Sequence, residues 1–150
     1  MKDEIILSVD GAGIIVGLGV HDGSLYEFAV SESSSLLHFG ISRFSGGRVA
    51  LDLFGVTELT VAELWEGPIV SEVFRWEVGA VPESCWEIPD SGWNALFAGK
   101  IPSLALRKEA ALKIAHEKPD SSLVLVEFSY GGSVAAVCDR LAAYEATESR

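Results

Sequence analysis

The stretch Leu36–Val78 reads LLHFGISRFSGGRVALDLFGVTELTVAELWEGPIVSEVFRWEV, and it determines the predicted fold. Its four apolar runs alternate with polar residues and are separated by glycine, proline and acidic residues. Alternation with a period of two, interrupted by turn residues, is typical of antiparallel strands joined by short turns. The stretch therefore predicts an antiparallel meander at the centre of the fold.

The first hairpin of this meander has a register that the apolar pattern can select. A three-residue loop at 45–47 places Phe39 opposite Leu53 and Ile41 opposite Leu51, so that both apolar sets share one face. A shorter loop would mix the two faces. Because a slip of one residue turns every side chain to the other face, we predict the three-residue loop.

The rest of the chain adds strands first and helices later. Strand runs followed by helices are typical of the α+β class. We predict one α+β domain over residues 1–150, with a meandering, mostly antiparallel sheet of about seven strands and two main helices from the C-terminal third. The last two strands of the meander are expected at Leu59–Trp65 and Ile69–Val78. The strands outside it are expected at Ile5–Val9, Ile14–Val20, Leu25–Val30 and Ser122–Phe128, and the helices at Leu104–Glu117 and Ser133–Tyr144.

The charge of the chain limits its partners. It carries 22 acidic and 11 basic residues, for a formal net charge of −11. Binding to nucleic acid or to an anionic membrane needs a basic surface, so we predict neither partner. The same charge is compatible with a basic protein partner.

The N-terminus and the cysteines indicate a cellular compartment. The first residues, MKDEIILSVD, lack the basic start and the long apolar region of a secretion signal. Cys85 and Cys138 do not have the spacing of metal ligands, and without a secretion signal they are expected to be reduced thiols. We therefore predict a cytoplasmic protein.

Neither a cofactor nor a metal is predicted. Gly11, Gly13 and Gly17 follow a strand, as in a dinucleotide-binding motif. That motif needs a helix after the glycines, whereas the residues that follow here are β-branched and predict a strand. The chain has only three histidines, and they are widely dispersed, which argues against a metal site.

Residues 125–132, LVEFSYGG, resemble the nucleophile elbow of α/β-hydrolases, with Ser129 as the candidate nucleophile. The local pattern is a strand, a serine, two glycines and a predicted helix. Glu127 stands where the family has glycine, and no histidine follows Ser129, although the family's triad ends with one. Ser129 is therefore a weak catalytic candidate.

A second catalytic candidate is the pair His38 and Asp52. In the predicted hairpin the two residues lie diagonally across neighbouring strands, roughly 7–8 Å apart. A carboxylate that orients an imidazole is suited to acid–base catalysis. A hydrogen-bonded pair with no catalytic role is the alternative.

Aromatic and acidic residues are interleaved in the segment 79–93, which the sequence predicts as a proline-containing loop. Aromatic anchors dominate the binding energy of protein interfaces, and acids beside them suit a basic partner. The segment is therefore a candidate partner-binding surface, with a structural lid over the end of the sheet as the alternative. Its candidate residues are Trp86, Trp93, Glu83, Glu87 and Asp90.

The order of the elements resembles that of small bacterial immunity-type proteins of polymorphic-toxin systems. The likeness consists of a turn at His21-Asp22, a hairpin, a strand that leads into GVTEL at 55–59, a second hairpin around EGPIV at 66–70, and a predicted α–β–α tail. The resemblance implies an acidic, non-enzymatic protein that binds a basic toxin domain.

Two other functions remain open from the sequence. One is a small hydrolase that uses Ser129 or the His38–Asp52 pair. The other is a homodimer or larger homo-oligomer, in which the high apolar content, 49% of residues, forms the interface between copies. Because no complete catalytic constellation is present, we predict a non-enzymatic protein-binding module.

Overall fold

The computed structural model describes residues 3–64 and 67–146 as a mostly antiparallel α+β fold. This confirms the predicted class. The described residues form eleven strands in three sheets and three α-helices, where about seven strands and two helices were expected. The strands are β1 Glu4–Ile5, β2 Ser8–Val9, β3 Ile15–Val16, β4 Ser24–Ser31, β5 Leu36–Ser42, β6 Arg48–Phe54, β7 Glu58–Ala62, β8 Val70–Glu77, β9 Ser122–Phe128, β10 Ser133–Cys138 and β11 Arg140–Ala146.

The helices are short and follow β8. They are α1 Val81–Ser84, α2 Asp90–Leu96 and α3 Arg107–Glu117, with 3-10 turns at Val78–Ala80 and Leu104–Leu106. The predicted loop 79–92 therefore contains helical turns. The predicted helix Leu104–Glu117 is found with its expected end, and its first three residues form a 3-10 turn.

Two larger sheets and the helices form three layers. The large sheet has the order β1-β11-β6-β5-β4, the small sheet has the order β7-β10-β9-β8, and β2 and β3 form a separate hairpin. One core lies between the two larger sheets and includes Phe39, Leu51 and Val126. A second core lies between the small sheet and the helices and includes Trp93 and Leu125. The small sheet is thus the buried middle layer.

The chain crosses between the two larger sheets at one corner. Gly55 follows β6, and Asp139 is the single residue between β10 and β11. The backbone N–H of Asp139 donates a hydrogen bond to the Phe54 carbonyl at 2.8 Å. Gly55 has φ +66°, and a Cβ built there would lie 2.2 Å from Oδ2 of Asp139. Glycine is therefore required where the crossovers touch.

The predicted helix at Ser133–Tyr144 is wrong. These residues form β10 and β11, which pass from the small sheet to the large one. Val134 and Ala136 of β10 face the core between the sheets, whereas Ala135 and Val137 face the helices. A strand covered on both faces is continuously apolar, so its periodicity cannot be told from that of a buried helix.

The register of the first hairpin was also predicted incorrectly, although the faces are as expected. Phe39 pairs with Leu51 and Ile41 with Val49, across a loop at 43–47. The loop is closed by a hydrogen bond of 2.9 Å from the Arg43 N–H to the Gly47 carbonyl. The shift is two residues, so every apolar side chain still points into the core.

Four other strands differ from their predicted bounds or regularity. The predicted strands at Ile5–Val9 and Ile14–Val20 are reduced to two-residue segments. The strand predicted at Leu59–Trp65 is found as β7, and Trp65 lies outside the described residues. A bulge between Val70 and Glu72 turns Val70 into the core between the sheets, away from Trp76.

Candidate functional site

His38 and Asp52 are brought together on the outer face of the large sheet. They lie directly opposite each other on β5 and β6, not diagonally as predicted, because the hairpin loop is longer than expected. The distance from His38 Nδ1 to Asp52 Oδ1 is 2.5 Å. Glu27 of β4 lies on the other side of the ring, with its Oε1 2.6 Å from His38 Nε2. The imidazole is thus held between two carboxylates.

The geometry of this array, Glu27–His38–Asp52, restricts what it can do chemically. Only an imidazolium can donate from both ring nitrogens, since a neutral imidazole has one donor and one acceptor. Asp52 is nearly buried, with its side chain 12% exposed, whereas the Glu27 side chain is 54% exposed. Because each nitrogen already contacts a carboxylate, proton transfer to a substrate would require one of these contacts to break.

The sequence analysis missed Glu27 because a bulge in β4 places it there. The register between β4 and β5 shifts between Leu25 and Glu27, so that Glu27 pairs with Gly40 and reaches the diagonal neighbour His38. The extra residue, Tyr26, lies over Gly40, where a Cβ would approach its ring to 2.7 Å. Arg48 stacks on the same ring, 4.5 Å from its centre. The only hint in the sequence was an acidic residue, Glu27, in a strand predicted to lie beside the strand of His38.

Ser129 is not part of a nucleophile elbow. It is exposed in the turn between β9 and β10, so the motif is strand–turn–strand and lacks the expected helix. Its backbone N–H donates to the Ile69 carbonyl at 2.9 Å. No hydrogen bond joins its hydroxyl to a base within the described residues, and His38 lies on the other sheet.

Trp93 has a structural position, which corrects its predicted role in binding, whereas the side chain of Asp90 is 73% exposed. Trp93 is completely buried and stacks on Phe97 with ring centres 6.0 Å apart. The guanidinium of Arg107 lies 5.5 Å from the centre of the Trp93 ring and donates to Asp90 at 2.8 Å. Trp93 therefore covers the small sheet, as the lid alternative predicted, and Asp90 is neutralised by an ion pair.

Trp86, Glu83 and Glu87 have the exposure expected of a binding surface, and we call these three residues the acidic surface. Trp86 is 67% exposed, and both glutamates are exposed beside it. Cys85 and Ile88 are buried under the same segment and hold it against the helical layer. Neither the Glu83 nor the Glu87 carboxylate makes an ion pair or hydrogen bond with a described residue.

A cleft of about 270 Å³ adjoins the acidic surface. It lies between the β2–β3 hairpin, the end of β8 and α1, and Glu87 forms part of its wall. The indole of Trp76 is 5% exposed at this cleft, and its Nε1 has no hydrogen-bond partner. Trp93 Nε1 is also without a partner but lies in the core under the helices, whereas the Trp76 donor belongs to the wall of the cleft.

The cysteines and the candidate metal ligands of the described residues were the remaining groups to place. Both cysteines are free and buried, and burial raises the pKa of Cys138 to about 11, which makes its thiol inert. No group of three or more His, Cys, Asp or Glu side chains in residues 3–64 and 67–146 is arranged to hold a metal ion. Over the same residues, no helix is long and apolar enough to cross a membrane.

Comparison of the chain with protein-family models, curated proteins and solved structures found no match. The resemblance to immunity-type proteins therefore stays a prediction from the order of elements. That order is itself altered, because the predicted α–β–α tail is a helix followed by three strands.

Proposed function

We propose that the protein is a non-enzymatic binding module that recognises a basic protein partner through the acidic surface. The observation that carries the proposal is the exposed indole of Trp86 in a segment whose two exposed glutamates have no side-chain partner among the described residues. The finer proposal is an immunity-type role, in which the partner is a basic toxin domain.

The exposure of Trp86 supports binding because a large aromatic side chain gains most when a partner covers it. Interface hot spots are enriched in tryptophan, and truncation of a hot spot costs about 2 kcal/mol or more of binding free energy. Trp86 sits on a segment that is fixed from below by the buried Cys85 and Ile88. A preorganised anchor avoids the entropic cost of ordering a loop on binding.

The charges supply the preference for a basic partner. Glu83 and Glu87 add to a net charge of −11. Unpaired surface charges of one sign steer an oppositely charged protein and raise its association rate. We expect association to become slower as salt is added, since screening weakens this steering.

The hydrolase alternative is less well supported than binding. In the His38 array both ring nitrogens contact carboxylates, and Ser129 lies in a hairpin turn of the other sheet. Acyl transfer needs a general base within hydrogen-bond reach of the nucleophile. Labelling of Ser129 by a fluorophosphonate would favour the hydrolase over the binding module.

Self-association is a second candidate, and it is favoured by one specific observation. Leu59 and Val61 of β7 are 37% and 43% exposed, and β7 pairs only with β10 among the described strands. An edge of this kind can add a strand from another molecule. A homodimer by light scattering, abolished by Val61→Lys but not by Trp86→Ala, would establish this alternative.

The experiment for the proposed function compares two double variants that make matched changes. Proteins that co-purify with the chain from its source cells are identified, purified and titrated calorimetrically. Trp86→Ala with Glu87→Lys changes the acidic surface. Tyr130→Ala with Glu32→Lys is the control, because Tyr130 is an exposed aromatic and Glu32 an exposed acid elsewhere.

We expect the first double variant to bind a basic partner at least about 30-fold more weakly than the parent, and the control to bind within about twofold. Both variants should unfold at the same urea concentration as the parent. Equal loss of affinity in both, or no loss in either, would contradict the proposal. Unfolding of the first variant alone would assign Trp86 to a structural lid.

A further inference from the structure

The cleft beside the acidic surface has a size and a set of wall residues that suit a particular ligand. It is about 270 Å³, below the range of about 300–1,000 Å³ typical of sites for small-molecule ligands. Its size therefore suits one side chain better than a cofactor. Six residues of its wall matter to the argument: Asp10, Gly13, Arg75, Trp76, Glu77 and Glu87.

The carboxylates of the cleft outnumber its cations. The Oδ1 atom of Asp10 accepts hydrogen bonds from the backbone N–H groups of Ala12 and Ile14, at 2.9 and 3.0 Å, which fixes the turn. Arg75 is directed toward β9, where its Nε donates to Ser122 Oγ at 3.3 Å. The side-chain carboxylates of two further wall residues, Glu77 and Glu87, make no hydrogen bond or ion pair with a described residue.

The wall also contains a donor without an acceptor. The Nε1–H group of Trp76 is buried and unpartnered. It lies against Gly13, since a Cβ built on Gly13 would be 2.5 Å from Nε1. The Gly13 carbonyl accepts instead from the Arg75 backbone N–H at 2.8 Å. An unsatisfied buried donor costs free energy, which a ligand oxygen at this wall would recover.

We propose that the cleft receives an arginine residue of the basic partner. Its guanidinium would lie between Glu77 and Glu87, and its main-chain carbonyl would accept from Trp76 Nε1. Arginine is favoured over lysine because its planar, weakly hydrated fork can donate to two carboxylates at once. The inference rests on the proposed function, because Glu87 belongs to both the cleft and the acidic surface.

The test uses Nα-acetyl-arginine N-methylamide as the probe and the whole chain labelled with ¹⁵N. The Trp76 indole N–H resonance is assigned with Trp76→Phe and followed during titration. We expect it to move downfield and saturate at millimolar concentrations of the arginine probe. The citrulline analogue, which is neutral and has nearly the same shape, should cause less than about a fifth of the shift.

Two kinds of variant locate the probe. Glu77→Gln with Glu87→Gln should weaken binding of the arginine probe about tenfold. Glu32→Gln with Glu58→Gln is the matched control, since both residues line a second cleft of about 310 Å³. Gly11→Leu should block the site without removing charge, because a Cβ at Gly11 meets no atom within 4 Å.

The outcomes separate this inference from the proposed function. Equal shifts with arginine and citrulline, or equal loss of binding in both glutamine double variants, would overturn the arginine site. If a purified partner depends on Trp86 but the arginine probe leaves the Trp76 resonance unmoved, the inference fails and the proposed function stands. If the probe binds as expected but no partner depends on Trp86, the proposed function fails instead.

Discussion

The outer face of the large sheet and the acidic surface both carry acidic residues, but the contacts of those residues differ. On the sheet, Glu27 and Asp52 contact His38. On the acidic surface, Glu83 and Glu87 have no counter-charge among the described residues. The first arrangement engages its carboxylates in contacts within the molecule, and the second leaves its carboxylates in solvent.

This difference shows why a cluster of histidine and carboxylates is a poor guide to function here. An array whose hydrogen bonds are complete stabilises the strands that it joins. An indole and two carboxylates that remain in solvent contribute little to the free energy of folding. We therefore expect substitutions on the sheet to affect stability and substitutions on the acidic surface to affect binding.

The largest predicted effect comes from the tryptophan beneath the helical layer. Trp93→Ala should lower the free energy of unfolding by about 3–5 kcal/mol, because it removes a fully buried ring. Trp86→Ala should change it by less than about 0.5 kcal/mol. Urea denaturation of the two variants measures the contrast. Similar losses in both would mean that Trp86 is part of the core.

Breaking the His38 array should have the next largest effect. Asp52→Ala leaves the imidazole without its nearly buried partner and should cost about 2 kcal/mol of unfolding free energy. Asp52→Asn keeps an oxygen acceptor at that position and should cost less than half as much. If both variants are as stable as the parent, the array contributes nothing to the fold.

A smaller effect is expected from the ion pair between Arg43 and Glu145. The two side chains form a bidentate contact at 2.6 and 2.8 Å, and the hydrogen bonds from Arg43 lower the pKa of Glu145 below its ordinary value of 4.5. Half of the Glu145 side chain is exposed. Glu145→Gln should therefore cost only about 0.5 kcal/mol at neutral pH.

The sign of the pH dependence of this ion pair follows from the lowered pKa of Glu145. The folded state releases the Glu145 proton more readily than the unfolded state, so the stabilisation is fully present above pH 4.5 and is lost as the pH falls through the folded pKa. Urea denaturation of parent and variant as a function of pH should show two curves that converge in acid. A gap that is constant with pH would rule out an ionic contribution.

The smallest effect on stability is predicted at the acidic surface itself. Glu83→Gln with Glu87→Gln should change the free energy of unfolding by less than about 0.5 kcal/mol, because neither carboxylate has a described partner. Any change should be stabilising, since two like charges are removed. Destabilisation by more than about 1 kcal/mol would reveal an intramolecular partner and weaken the contrast with the sheet.

The elements that were predicted correctly are those whose sequence follows one simple pattern, either strict alternation or a helix ended by proline. The central strands alternate strictly, so the buried positions Leu37, Phe39 and Ile41 were correct. The helix at 104–117 was correct because Pro119 limits its extent. The α+β class followed from these elements.

The errors have physical causes. Residues 133–144 are small and apolar on both faces, which removes the periodicity that separates strand from helix. The His38 array depends on a longer loop at 43–47 and on a bulge at Tyr26, and neither leaves a clear trace in one sequence. Trp86 and Trp93 are seven positions apart in the same segment, and their opposite burial depends on the short helices α1 and α2.

The central claim is that the acidic surface binds the partner, and fluorine NMR of the chain labelled with 5-fluorotryptophan tests it most directly. The purified basic partner is added to saturation, and single Trp→Phe variants assign the resonances. We predict that the Trp86 resonance shifts while that of the buried Trp93 stays within its linewidth. An unmoved Trp86 resonance in a saturated complex would contradict the claim.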